Sequence, residues 1–142
     1  MTTRTVYVTE FDLQRLRILV RSTALSAGGS DAILNDLMSA LERSTAVKAG
    51  EIPPDIVTMN STIRLQDLES GMEFIATIVF PHKFGDEEDR ISILSPLGSA
   101  LFGFRQGDRI EVPFPGALRP FLILEVIYQP EASGQASIDF PS

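Results

Sequence analysis

Apolar residues recur with two different periods along this chain. Between Thr9 and Val20, Leu13, Leu16 and Val20 fall at i, i+3 and i+7, the spacing of one helical face. Thr9 precedes this run and Asp12 stands three residues later, a capping box with Asp in place of Glu. The helix is predicted to end before "SAGGS", because Gly28 and Gly29 are poor helix residues. Ser30 or Asp31 caps a second helix whose apolar stripe is Ile33, Leu34, Leu37, Met38 and Leu41. Two helices of about 14 residues joined by a short turn read as an antiparallel hairpin about 21 Å long. Such a hairpin cannot support a core alone and must lean on the rest of the chain. Ahead of it, Thr5 to Val8 reads as a short extended segment.

The "AGEIPPD" stretch (Ala49–Asp55) is a linker in which Pro53 and Pro54 stop any helix. Beyond it the period drops to two. In "VTMNSTIRL", Val57, Met59, Ile63 and Leu65 alternate with polar residues, which predicts a half-buried strand with Ser61 on its inner face. "EFIATIVF" (Glu73–Phe80) is apolar on both faces and reads as a central strand. "RISIL" is a third. "DRIEVPF" is a fourth, with Ile110, Val112 and Phe114 inward and Pro113 marking an edge. "FLILEVIYQ" is the fifth. The pattern predicts an α+β protein: a helical hairpin over residues 1–48, then an antiparallel sheet domain with one short helix over residues 49–142.

The short helix interrupts the strands in "SPLGSALFGF". Ser95 is a good N-cap and Pro96 is preorganised for the first helical position. Gly103 can end the helix in the left-handed conformation. Leu97, Leu101 and Phe104 lie at roughly helical spacing and would cover the sheet. The Ser95–Pro96 end would form a small, uncharged surface corner.

Composition narrows the chemistry. A chain of 142 residues is one domain, or one domain with a small appendage. It has no cysteine, which removes disulfides, cysteine-ligated zinc and thiol catalysis. A single histidine, His82, cannot build a multi-histidine metal site. No apolar run approaches the roughly 20 residues of a membrane span, and no cleavable signal pattern is evident. A soluble, cytoplasmic protein with no membrane partner is expected. Residues 1–50 carry six basic side chains against five acidic ones, whereas residues 51–142 carry six against fourteen. So acidic a body repels phosphate backbones, which argues against direct nucleic-acid binding and suits protein surfaces with basic patches.

Residues Ile91–Gly116, "ISILSPLGSALFGFRQGDRIEVPFPG", resemble the C-terminal signature of the bacterial transcript-cleavage factors GreA and GreB. "DIVTMNSTIRL" and "LEVIYQPEASG" resemble more closely the Rnk branch of the same superfamily. With the two-helix N-terminus, the resemblance covers essentially the whole chain. It implies an FKBP-like fold for the C-terminal domain and a short coiled coil for the N-terminal hairpin. It also implies docking on RNA polymerase near the secondary channel, on the rim helices of the β′ subunit. The Ser-Pro corner that makes this contact in Gre factors maps onto Ser95 and Pro96, with Leu97 and Gly98 beside them. Leu94 stands where many Gre proteins have a polar residue.

Gre factors carry two acidic residues at the tip of a long coiled coil, where carboxylates help hold a catalytic Mg²⁺. Here the tip is "STALSAGGSD", and Asp31 is its one acid. Reach and charge are both lacking, so binding without stimulated transcript cleavage is expected. Arg15, Arg17, Arg21 and Asp31 are candidate coiled-coil contacts, the arginines alternatively a solvated face paired with Glu10, Asp12 or Asp36. The acids of "GDEED" (Gly85–Asp89) do not converge on one ion in an extended turn, and no metal or cofactor is expected. Ser95 has no histidine partner in sequence reach, so a hydrolase is not expected.

Three functional readings are open. The first is a transcription regulator that competes with Gre-type factors for RNA polymerase, and it is not an enzyme. The second is an FKBP-like peptidyl-prolyl isomerase or another protein-binding module. This chain lacks tryptophan, and most of its nine phenylalanines sit at strand positions expected to be core. The third is indirect action on nucleotide pools through nucleoside diphosphate kinase, without a phosphate-cradling glycine loop. A monomer is favoured.

Overall fold

The computed structural model describes residues 6–27, 32–81, 89–114 and 116–133. The predicted cap at Ser30 or Asp31, Thr5, His82 and most of the acidic run Gly85–Asp89 lie outside the described residues. So do the side chains of Ile33 and Phe114.

The first strand, β1 (Val6–Thr9), runs straight into α1 (Glu10–Ala27). Thr9 caps the helix, its hydroxyl accepting a 3.0 Å hydrogen bond from the Asp12 amide. Leu16 and Val20 are buried as expected, and Leu13 packs beside them. The second helix, α2 (Ala32–Glu42), buries Leu34, Leu37 and Leu41 and leaves Met38 at its margin. The two helices are unequal rather than matched: 18 and 11 residues, or about 27 and 16 Å. The second stops early because the chain turns into β2 (Ser44–Val47). This strand pairs in parallel with β1, Val6 opposite Ser44, so the two ends of the helical segment lie side by side.

Past a single 3-10 turn at Ala49–Glu51, the structure departs from the sequence reading. Val57, Met59, Ile63 and Leu65 are buried, but the strand β3 starts only at Thr62 and ends at Asp67. The residues before it form a turn closed by the Ser61 amide donating to the Thr58 carbonyl at 3.1 Å. Asn60 sits at φ 65°, left-handed backbone that asparagine tolerates better than most residues. Asparagine at this position therefore serves the turn and not the outer face of a strand. Thr58, an outward position in a strand reading, is buried, its hydroxyl 2.8 Å from that of Ser61.

Five strands form the main sheet in the order β5-β4-β3-β7-β6. These are β3, β4 (Glu73–Val79), β5 (Arg90–Ser92), β6 (Arg109–Phe114) and β7 (Ala117–Tyr128). The sheet is mixed, not wholly antiparallel as predicted, since β5 runs parallel to β4 with Ile78 opposite Ile91. Periodicity reports which side chains are buried, and burial is blind to strand direction. Nor is β4 the central strand. That place belongs to β3, and Phe74 and Ile75 of β4 are 37% and 49% exposed. The edge signalled by Pro113 is real: β6 is outermost.

The helix α3 (Pro96–Leu101) lies against β5 and β6, and a further short helix, α4 (Pro130–Ser133), follows β7. Leu16, Val20 and Leu34 share one hydrophobic cluster with Ile63, Ile78, Leu101 and Ile123. The helical pair therefore leans on the sheet through a continuous core. No helix among the described residues is long and apolar enough to cross a membrane.

Candidate partner-binding corner

Four hydrogen bonds fix the start of α3. The Ser95 amide and hydroxyl both donate to the Ser92 carbonyl, at 2.9 and 2.7 Å. The Gly98 amide donates to the Ser95 hydroxyl at 3.0 Å, and the Ser99 amide to the Ser95 carbonyl at 3.0 Å. Proline at the next position removes one amide that would otherwise lack a helical partner. The predicted cap is thus present in full. At the other end Gly103 takes φ +85°, and its amide donates to the Val57 carbonyl at 2.9 Å.

The four corner residues differ in what they offer. Pro96 is exposed, Ser95 and Leu97 are half-buried, and Gly98 is buried. A Cβ at Gly98 would lie 2.1 Å from the Ser92 carbonyl oxygen, so this residue lets α3 sit tightly on the chain before it. Its part is to position the corner. Leu101 and Phe102 are buried beneath, and Leu97 and Phe104 pack on the core margin.

Beside the corner a cleft of about 400 Å³ opens between α2, α3 and β6. Ala40 of α2 and Arg43 just after it, Pro96 and Ser99 of α3, and Arg109 and Glu111 of β6 line it. Nothing in the sequence pattern brought Arg43 and Arg109 to one cleft, because they are 66 positions apart, with three of the five strands of the main sheet between them.

The predicted arginines of α1 separate. Arg17 and Arg21 are exposed. Arg15 turns inward, its guanidinium 4.2 Å from the centroid of the Phe11 ring and 4.6 Å from that of Phe80. It bonds the Asp12 carboxylate at 2.5 Å. Asp12 is almost wholly buried, and Glu131 of α4 is half-buried nearby, accepting from the Thr58 hydroxyl at 2.7 Å. Burial raises the Asp12 carboxyl above its ordinary value, against the pull of Arg15, the Met59 amide and Thr9. Burial also raises Glu131, opposed by the Thr58 hydroxyl and aided by the Asp12 charge. Gln129 donates to the Pro53 and Ile56 carbonyls, both at 2.8 Å. So the "VTMNS" and "YQPEA" motifs meet in space, and α1 is anchored where they meet. Glu131 and Gln129 had only their place in a motif to announce them. Asp31 lies outside the described residues.

Residues 52–128 match the family described as transcription elongation factor, GreA/GreB, C-term. The chain belongs to this GreA/GreB family. It is 35% identical over 135 residues to the regulator of nucleoside diphosphate kinase of Escherichia coli K12, across 94% of this chain and 97% of that one. A GreA transcription elongation factor from Nitratiruptor is 36% identical over 100 residues, 70% of this chain and 61% of its own. Among solved structures, the GreA/GreB elongation factor of Nitrosomonas europaea superposes with a TM-score of 0.74 at 39% identity. That match covers 89% of this chain and all of that one. The GreA/GreB match includes the whole of α3 and its Ser-Pro corner. These relatives are named as a regulator and as transcription factors, and a transcription-factor-like role follows for this chain.

Proposed function

We propose that this chain is a transcription regulator that docks on RNA polymerase near the secondary channel and competes there with Gre-type factors. Residues 49–142 act as an FKBP-like docking module, and residues 1–48 as a short coiled-coil arm. The contact with the β′ rim helices is made by Ser95, Pro96 and Leu97, with Gly98 holding them in place. Arg17 and Arg21 add contacts from the arm, and Arg15 supports them from within. One observation carries this reading: the Ser-Pro motif of the matched family stands here as an exposed, uncharged corner locked by four hydrogen bonds. A rigid apolar corner loses little conformational entropy on docking.

The arm does not stimulate transcript cleavage on this reading, because metal-assisted cleavage would need paired carboxylates carried deep into the enzyme. The monomer is the acting form. The isomerase reading is not favoured, as the relatives carry names of regulators and elongation factors.

The test is capture of purified core RNA polymerase by the tagged chain, repeated with excess GreB. Binding should be lost to the competitor and weakened at least tenfold by Pro96→Glu, which alters an exposed first-turn position without touching the cap. Backtracked elongation complexes should show no added cleavage. Failure to capture polymerase, or capture indifferent to both GreB and Pro96→Glu, would remove the proposal.

A further inference from the structure

The cleft beside the corner runs along an unpaired strand edge. The Gly107 amide donates to the Ile123 carbonyl at 2.8 Å, and the Ile123 amide donates to the Asp108 carbonyl at 2.9 Å. The backbone groups of Ile123 therefore face the β6 side. Alternation turns those of Phe121 and Arg119 the same way, towards their register partners Ile110 and Val112. The amides and carbonyls of Arg109 and Glu111 must then point out of the sheet, as must the Pro113 carbonyl. Among the described residues none of these groups has a hydrogen-bond partner. Pro113, which has no N–H, occupies a position where none is needed for the ladder.

The same edge carries positive charge. Arg43 and Arg109 both line the cleft, and neither forms an ion pair with a described residue. The chain as a whole has a net charge of -7. Two guanidinium groups without an ion-pair partner among the described residues, on so acidic a body, mark a place for a carboxylate. Phe102, Phe104 and Ile110 supply an apolar floor, and Glu111 repels negative charge from the stretch beside it. The volume lies in the range of ordinary ligand pockets.

We propose that this cleft binds an extended segment of a partner protein by strand addition to β6. The segment carries an acidic side chain that reaches Arg43 and Arg109 and an apolar one that covers the aromatic floor. Main-chain hydrogen bonds to Arg109 and Glu111 supply affinity, and the arginines set the register. The proposal does not rest on the polymerase reading, because it is tested without polymerase.

The probe is a capped pentapeptide of alternating valine and aspartate, titrated into the full chain and followed by amide NMR and hydrogen exchange. The expected result is saturable binding with slowed exchange at the amides of Arg109 and Glu111. Glu111→Pro deletes one outward donor while keeping the β7 ladder, and should weaken binding about tenfold. Arg43→Glu combined with Arg109→Glu should abolish it, and a valine–lysine peptide should not bind the native chain. Unchanged thermal midpoints establish that the variants are folded. If the peptide fails to bind, protects amides elsewhere, or binds both variants as it binds the native chain, the proposal is wrong. In that case Pro113 and the charges of β6 serve only to keep the edge from pairing.

Discussion

Two helices of this molecule begin alike and end up in opposite surroundings. Both α1 and α3 start at a hydroxyl cap, Thr9 and Ser95, that accepts from the amide three residues later. In α1 that third residue is Asp12, which is buried and paired with Arg15. In α3 it is Gly98, which has no side chain and lets the helix close onto the Ser92 carbonyl. The first start is drawn inward and welds the helical arm to the sheet. The second is left as a bare corner. One capping rule thus serves an anchor in one place and a contact surface in the other, and the third residue decides which.

Breaking the anchor should have the largest effect. Asp12→Ala leaves the Arg15 guanidinium between two rings with its partner gone, and Nε and Nη1 already have no hydrogen-bond partner among the described residues. Removing one member of a buried pair costs about 3 kcal/mol, read as a fall in the urea midpoint. Gly98→Ala should come next. Its methyl group collides with backbone, not with a side chain that can swing away, so a loss of about 2 kcal/mol is expected from overpacking. Ser95→Ala removes the cap together with the hydroxyl's bond to the Ser92 carbonyl and should cost about 1 kcal/mol. It should loosen the corner with the core intact, visible as faster hydrogen exchange at Gly98.

The smallest effect expected is a slope with pH. Asp12 and Glu131 both have carboxyls raised above ordinary values of 3.8 and 4.5. Below those values the folded and unfolded chains are both protonated, and nothing is lost. As the pH rises past them the unfolded chain releases protons that the folded chain keeps, so stability falls until the folded carboxyls ionise as well. Asp12→Asn with Glu131→Gln should flatten this slope in urea titrations run at a series of pH values. A native chain that gains stability over that range would contradict the burial of Asp12. Asp67, lowered by its hydrogen bonds to Arg119, acts in the opposite sense and loses its contribution as the pH falls below 3.8.

The anchor and the corner were not equally legible in the sequence. The corner is local: Ser95, Pro96 and Gly103 carry their conformations with them, and the helix formed where those residues placed it. The cap at Thr9 was legible for the same reason. The anchor is not local, since Glu131 reaches Thr58 across 73 positions, and no periodicity joins the two. Burial at Val57, Met59, Ile63 and Leu65 was read correctly, yet Asn60 bends that stretch into a turn, because two-residue alternation does not distinguish a strand from a turn followed by one. Strand direction was equally invisible: β5 presents an apolar residue to the core whether it runs up or down. Arg43 and Arg109 come to line one cleft only in the folded chain.

The parallel pairing of β1 with β2 has a consequence for how such proteins diverge. It ties off the helical segment at its root, so the core below is indifferent to how far the segment extends above. Residues could be inserted or deleted beyond Val20 and before Leu34 without unpicking the base. Arm length is then a variable that evolution can tune separately from whatever the sheet module holds.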